Sequence, residues 1–204
     1  NMETYTFNLL VSIFMFSFAT SLTPGPNNIM LLSSGLTFGY KRTIPHILGV
    51  VIGFPLMTIC VGLGLGKFFQ LYPYSFTILK FIGIVYILWL AWKIANSSPR
   101  FKENDESSEP LRFTPIVLFQ WVNIKNWIKI ITAMSVYVTS VENALSQIIV
   151  ISIIFFMTVL VSANSWALGG VVLKKLIKSD IGIKRFNIIM AILLILSMVP
   201  TLFE

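Results

Sequence analysis

The residues best suited to bind a small molecule lie where an apolar run is interrupted, in the stretch Thr23-Pro24-Gly25-Pro26-Asn27-Asn28. A proline has no backbone N–H, so a helix cannot continue through this stretch, and Gly25 permits a sharp turn. Pro26 is favoured at the first position of a new helix, whose leading N–H groups lack an intrahelical partner. Such a helix end attracts anions, and we predict that all six residues form a substrate site.

A second interruption lies about 100 residues later, in the stretch Asn123-Ile124-Lys125-Asn126-Trp127. Lys125 is the charged residue at this break, and it is predicted to be a second contact for an anion or a coupling charge. The alternative is a lysine that extends to the headgroups, since Lys129 one turn later shares its helix face. Asn123 and Asn126 are predicted to bind substrate or, alternatively, to hydrogen-bond neighbouring helices.

Two more polar residues, His46 and Asn164, lie inside apolar runs. His46 is the sole histidine, and because histidine titrates near neutral pH it is the candidate for proton coupling. Its closeness to Lys41 and Arg42 also fits the end of a span at the membrane interface. Asn164 is predicted to line the substrate path or to form a hydrogen bond between helices.

Lipid is the solvent in which these residues must act. Of the 204 residues, 56% are hydrophobic and 11% are charged, and the mean hydropathy of +0.84 is well above soluble usage. Irregular backbone survives in lipid only inside protein or beside a watery cavity, so each break predicts a site. The formal charge of +7 does not indicate nucleic acid, because the basic residues fall mainly between apolar runs. With one cysteine, Cys60, neither a disulfide framework nor a thiol metal site is expected, and no metal or cofactor is predicted.

We predict an all-α integral membrane fold of six transmembrane helices, with the first and fourth interrupted. The spans are placed at Tyr5–Leu22 with an extension over Pro26–Phe38, and at Thr43–Gly66, Phe76–Ile94, Phe113–Tyr137, Ala144–Leu173 and Phe186–Phe203. Residues 1–95 and 112–204 form two three-helix repeats, joined by a hydrophilic linker at 96–111. Because each repeat has an odd number of spans, the two repeats cross the membrane in opposite directions. Paired breaks in such inverted repeats point to the central site of a transporter.

The positions of the basic residues predict the orientation in the membrane. Eleven of the fifteen flank three connections, at residues 39–43, 93–112 and 174–185. Basic connections remain in the cytoplasm, so these three are predicted to be cytoplasmic and both termini to lie outside.

Several of these elements together resemble the LysE/RhtB family of amino-acid exporters. The elements are Leu22-Thr-Pro-Gly-Pro-Asn27, Gly35, Gly39, Lys41-Arg42, Asn123-x-Lys125-x-Trp127, Trp166-Ala167-Leu168 and Arg185-Phe186-Asn187. The resemblance covers nearly the whole chain. It implies efflux of amino acids or related metabolites across the bacterial inner membrane, driven by the proton motive force and without ATP.

For an amino-acid substrate, the first break offers partners to both charged groups. The carboxylate is expected at the N–H groups of Asn27 and Asn28, where the helix dipole also favours an anion. The ammonium is expected at carbonyls freed near Thr20 and Leu22, or at the Asn27 side chain.

Two departures from the family pattern refine these expectations. Ile124 replaces the family's proline, so the second break should be less firmly enforced and its half more continuous. Phe54 replaces an acidic residue that many relatives carry, and all eight acidic residues fall in predicted termini or loops. A strongly cationic substrate would require a buried counter-charge, so a neutral amino acid is favoured.

The sequence leaves open two other functions and the question of whether the protein forms a homodimer. An ion channel or small-solute transporter on this scaffold would need rings of acidic or carbonyl ligands. A membrane enzyme is less favoured, because one histidine and one cysteine leave little for a catalytic cluster. The small-residue face at Gly49 and Gly53 could form a homodimer or pack inside the chain.

Overall fold

Prolines and asparagines divide this chain into helices of unequal length. The computed structural model describes residues 5–97, 109–200 and 203, and these contain no strand. The helices are α1 Phe7–Leu22, α2 Pro26–Phe38, α3 Tyr40–Cys60, a π-helical segment Val61–Leu65, α4 Gly66–Leu71, α5 Pro73–Ala95, α6 Phe113–Val122, α7 Ile124–Tyr137, α8 Ala144–Lys174 and α9 Asp180–Leu196. Most of the predicted linker at 96–111 lies outside the described residues.

The first break forms where it was predicted and bends the chain by 55° between α1 and α2. The backbone at Gly25 is extended, with φ −175° and ψ −179°. Any residue adopts this conformation, so the turn does not depend on the backbone freedom of glycine. The prolines end α1, and Pro26 occupies the first turn of α2.

The second break also forms, although Ile124 replaces proline. It is limited to Asn123, whose φ of −81° and ψ of 105° are extended. The Asn123 side chain accepts a hydrogen bond from the N–H of Lys125 at 3.2 Å and so caps α7. An asparagine cap therefore interrupts the helix where the missing proline would have done so, and this break is shorter than the first.

Several predicted helix boundaries are wrong. The connection between the spans predicted at Thr43–Gly66 and Phe76–Ile94 is helical except at Tyr72, because α4 runs to Leu71 and α5 begins at Pro73. The span expected at Phe186–Phe203 begins earlier, at Asp180, because the Ser179 side chain accepts from the N–H of Gly182 at 3.1 Å and caps α9. The connections expected at 39–43 and 174–185 shrink to Gly39 and to residues 175–179, so their basic residues lie partly in the ends of helices.

Three of the described helices are long and apolar enough to cross a bilayer, namely Tyr40–Phe68 through the π-helical segment, Pro73–Ala95 and Ala144–Lys174. The bent pair of α1 and α2 makes a fourth if it is counted as one span. The described residues thus form an all-helical membrane protein, in which α6 is a shorter apolar helix.

Small residues let α3 approach α6 inside the chain. A Cβ atom at Gly49 would lie 2.7 Å from the Ile116 side chain, and one at Gly53 would lie 3.1 Å from Gln120 Cγ. The face of Gly49 and Gly53 therefore packs against α6, which decides between the two alternatives for this face in favour of internal packing.

Gly39 joins α2 to α3 with φ 81° and ψ 172°, a region that essentially only glycine occupies. A Cβ atom there would meet nothing within 4 Å, so Gly39→Ala tests backbone strain alone. We expect this change to destabilise the protein by about 1–3 kcal/mol, measured as a lower melting temperature in detergent. Gly66→Ala, at a helical φ of −60°, is the control and should melt near the wild type. Equal melting temperatures of the two variants would contradict the expected backbone strain at Gly39.

Candidate functional site

The two breaks cross each other in the interior and enclose a cavity of about 40 Å³. Predicted site residues contribute much of its wall, namely Gly25, Pro26, Asn27, Asn28, Asn123, Lys125 and Asn126. Helices α3 and α8 close the remaining sides, with Phe54 from α3 and Ser162 from α8. A cavity of this volume holds a few water molecules, so it must widen to hold an amino acid.

Each break is hydrogen-bonded to the other at both of its ends. The amides of Asn27 in α2 and Gln120 in α6 bond reciprocally, at 2.8 and 3.0 Å. At the opposite ends, Lys125 Nζ in α7 donates to Thr23 Oγ1 at 2.9 Å and to the Thr23 carbonyl at 3.2 Å. The start of α2 is thus linked to the end of α6, and the start of α7 is linked to the end of α1.

A pair of asparagines binds the carbonyls that the breaks expose. Asn28 Nδ2 donates to the carbonyls of Ser21 and Thr23 at 2.7 and 2.9 Å. In the second break, Asn126 Nδ2 donates to the carbonyl and side-chain oxygens of Gln120 at 3.2 and 2.9 Å. Both side chains therefore hold a break in shape, besides lining the cavity.

The carbonyls that were expected to accept from a substrate ammonium are already bonded within the protein. The Thr20 carbonyl accepts from Thr23 Oγ1 at 2.8 Å, and the Leu22 carbonyl accepts from Trp166 Nε1 at 3.2 Å. Each of the two carbonyls therefore already has one donor in this conformation, which leaves one lone pair for a substrate ammonium.

The N–H groups expected to bind a carboxylate do lie at the start of α2. The first backbone hydrogen bond of this helix runs from Ile29 N to the Gly25 carbonyl at 2.9 Å. The N–H groups of Asn27 and Asn28 precede it, at the positive end of the helix dipole. Because both residues line the cavity, an anion in the cavity can approach this helix end.

Gly25 has a steric role beside Lys125. A Cβ atom at Gly25 would lie 2.7 Å from Lys125 Nζ and 3.0 Å from Lys125 Cδ. The lysine side chain therefore lies directly across the glycine, and the small size of Gly25 makes room for the bond between Lys125 and Thr23.

Lys129 is a second cavity cation, which the sequence analysis did not assign to the site. Its side chain is buried, and its Nζ donates to Ser21 Oγ at 2.6 Å and to the Ser17 carbonyl at 3.4 Å. The rings of Phe54 and Phe155 lie beside it, with centroids 5.0 and 4.7 Å from Nζ. The sequence signal was its four-residue spacing from Lys125, which places both side chains on one face of α7.

The model of the LysE type translocator family matches residues 18–199 of this chain. The chain belongs to the LysE type translocator family. Curated relatives include the "Cysteine/O-acetylserine efflux protein" of Escherichia coli O157:H7, at 34% identity over 92% of this chain and 94% of the relative. The proteins of the same name from Escherichia coli O139:H28 and strain K12 are 33% and 32% identical over the same shares. No solved structure matches the chain.

Membership of this family confirms the resemblance seen in the sequence and makes the chain a membrane translocator rather than an enzyme. A translocator must open its site to each side of the membrane in turn. A second, larger cavity of about 590 Å³ lies beside the first, and Thr23 and Pro24 are in its wall. Lys125 and Lys129 line both cavities, so the two lysines lie between them.

Asn164 and His46 are not in the wall of the 40 Å³ cavity. Asn164 Oδ1 accepts from the Tyr40 hydroxyl at 2.6 Å, and its Nδ2 donates to the Leu160 carbonyl at 2.8 Å. Asn164 thus links α8 to α3. His46 is fully buried in α3, and neither ring nitrogen has a hydrogen-bond partner among the described residues.

Proposed function

We propose that this translocator exports a small neutral amino acid, of the class of cysteine or O-acetylserine, across the bacterial inner membrane. The observation that carries the proposal is the cavity formed where the two breaks cross and bond reciprocally. Family membership and the names of the relatives support the direction of transport and the class of substrate.

Six spans in two inverted repeats are part of the proposal. α1 with α2 and α6 with α7 are the interrupted first and fourth spans, and α3 with α4, α5, α8 and α9 are the others. The matching roles of Asn28 and Asn126 support an approximate twofold relation between the breaks. The proposal places both termini outside and the basic connections in the cytoplasm, which a reporter fused to the C-terminus tests.

In the proposed complex, the carboxylate binds the N–H groups of Asn27 and Asn28, with Lys125 as the neighbouring cation. The ammonium binds Asn27 Oδ1, which accepts from Gln120 and has a second lone pair. None of the described residues in the cavity wall is acidic, which favours a neutral amino acid over a cationic one. Thr23, Pro24, Gly25, Pro26, Asn123 and Asn126 shape the site, and Asn164 positions α8 at its edge.

Proton coupling through His46 is proposed on its burial and on its ring nitrogens, which are without a partner among the described residues. A homodimer is retained as a proposal as well. Because Gly49 and Gly53 pack against α6, a dimer would use another apolar surface.

Efflux from proteoliposomes loaded with labelled O-acetylserine, cysteine or lysine tests the proposal. We expect the first two to leave the vesicles and lysine to remain, and efflux to fall when the proton gradient is dissipated. Asn27→Ala removes the side-chain contact to Gln120 and to the ammonium, so efflux should fall about tenfold, as a loss of about 1.4 kcal/mol implies.

Gln70→Ala, at an exposed position in α4, is the control and should transport like the wild type. Absence of efflux of all three amino acids from a correctly inserted protein would contradict the proposed substrate class. Efflux that persists without the gradient would contradict the proton motive force as the energy source. A wild-type rate in His46→Gln would contradict a role of His46 in proton coupling.

A further inference from the structure

Lys129 is a buried cation whose described partners are a hydroxyl and a carbonyl, with no carboxylate in the wall of the cavity that it lines. Buried charges in proteins are as a rule paired with an opposite charge, because removing an ion from water is unfavourable. We propose that Lys129 is the residue that selects the exported solute by binding its carboxylate. This inference rests on the proposed function and names a specificity-determining residue for it.

The surroundings of Lys129 give its ammonium group a polar approach from the 40 Å³ cavity. The rings of Phe54 in α3 and Phe155 in α8 lie beside Nζ and stack on each other with centroids 5.4 Å apart. These rings stabilise the cation when no solute is bound. The polar side is that of Ser21, whose hydroxyl is 2.6 Å from Nζ and which also lines the cavity. A carboxylate oxygen in the cavity can accept from Lys129 and from Ser21 together.

The same carboxylate can contact α2. Asn27, Asn28 and Lys129 line one cavity, so one carboxylate oxygen can accept from the N–H groups at the start of α2 while the other accepts from Lys129. Both contacts are charge-assisted or aligned with a helix dipole, and both favour an anion. The carboxylate then lies between the α2 half of the first span and the α7 half of the fourth.

The charge balance of the cavity sets its selectivity. Lys125 and Lys129 are the charged side chains in the described wall of the cavity, and both are cationic. A solute with a second positive charge, such as lysine or arginine, would bring a fourth cation into this space, beside the two lysines and its own α-ammonium group. A zwitterion supplies the missing anion without that penalty, and a small monocarboxylate supplies it alone. The cavity should therefore bind propionate and reject propylamine.

The test measures binding to the purified wild-type protein and to Lys129→Met, by the shift of the melting temperature with propionate, propylamine or O-acetylserine. Propionate and O-acetylserine should stabilise the wild type, and propylamine should not. Lys129→Met should lose the propionate shift and bind O-acetylserine at least thirtyfold more weakly. Without ligand it should melt at the wild-type temperature or higher, because an unpaired buried charge is replaced by an apolar side chain of similar length.

Lys80→Met, in the apolar helix α5 and outside the wall of both cavities, is the matched control and should keep every wild-type shift. If Lys129→Met does not fold, Lys129→Gln removes the charge while retaining a donor to Ser21, and the same losses are expected. Wild-type propionate binding by a folded Lys129 variant would overturn the inference, and so would stabilisation by propylamine.

Vesicle efflux separates the two proposals. If Lys129→Met exports O-acetylserine at the wild-type rate, the exporter stands and the role of Lys129 is wrong. If the wild type exports no amino acid but shows a Lys129-dependent propionate shift, the amino-acid substrate is wrong and the carboxylate contact stands.

Discussion

Gly170→Ala should prevent the protein from folding stably, although it adds a single methyl group. A Cβ atom at Gly170 would lie 2.1 Å from the Leu32 carbonyl oxygen and 2.7 Å from Leu36 N. Both are backbone atoms of α2, so no side chain can move aside, and α8 would have to separate from α2. The expected destabilisation is about 3 kcal/mol or more, at the upper end for overpacking. The measurement is the yield and melting temperature of the monodisperse protein in detergent.

Gly169→Ala is the matched control, because a Cβ atom there would meet Leu32 Cδ1 at 3.7 Å, an ordinary contact. It should melt near the wild type. Gly35→Ala should fail like Gly170→Ala, since its Cβ atom would lie 2.0 Å from the Ala167 carbonyl oxygen on the facing helix. A normal yield of Gly170→Ala would show that the α2–α8 contact is looser than described.

This contact matters for the site because α2 carries Asn27 and Asn28, while α8 carries Ser162. Ser162 Oγ donates to the Ser21 carbonyl at 2.6 Å, at the end of α1. The small residues between α2 and α8 therefore bring both sides of the cavity wall within hydrogen-bonding distance. Fold stability and site geometry depend on the same contact, as is usual where helices pack through small residues in a membrane.

The breaks could be predicted from the sequence because their causes are local. Pro24 and Pro26 remove backbone donors wherever they occur, so the end of α1 and the start of α2 follow from residue type alone. Asn123 could be recognised as part of a break. The sequence could not show whether its side chain would cap α7 well enough to interrupt the helix without a proline at position 124. The observed hydrogen bond from Lys125 N supplies that information.

The partners across the breaks could not be predicted, because they depend on which helices meet. Gln120 lies in an apolar run, and nothing near it in the sequence indicates that it faces Asn27, 93 residues earlier. Lys129 could be placed on the face of Lys125 by its spacing, but the rings of Phe54 and Phe155 come from two other helices. Asn164 and Asn126 had the same two interpretations in the sequence, and both form a hydrogen bond to another helix, but only Asn126 is also in the wall of the 40 Å³ cavity.

The errors in helix boundaries also have a physical cause. Charged residues at positions 180–185 were assigned to the connection before the sixth span, yet the cap at Ser179 starts α9 ahead of them. A helix can continue beyond the apolar core of a membrane, since its backbone bonds are satisfied internally in either solvent. Hydropathy therefore locates the part of a helix that lies in lipid and leaves its ends undetermined.

Gln120→Leu should reduce transport about a hundredfold while the folded protein remains. Gln120 is fully buried, exchanges two hydrogen bonds with Asn27, and accepts a third from Asn126. Leucine leaves the amides of Asn27 and Asn126 without these partners, at a cost of about 1–3 kcal/mol for each unsatisfied group. Loss of the contact also releases Asn27 from the position proposed for binding the ammonium. The measurement is the initial rate of O-acetylserine efflux per folded protein.

Gln147→Leu is a stringent control. Gln147, at the start of α8, is also buried, donates a hydrogen bond to Thr139, and lies outside the wall of both cavities. It should lower the melting temperature as Gln120→Leu does, yet retain the efflux rate of the folded fraction. The double variant Gln120→Leu with Asn27→Leu removes both amides, so its loss of stability should be smaller than the sum of the two single losses. Additive losses would mean that the two breaks are not coupled through this pair. If the stability losses are less than additive and Gln147→Leu keeps the wild-type efflux rate, a loss of stability alone cannot explain the transport defect of Gln120→Leu. The defect would then arise where the two breaks cross.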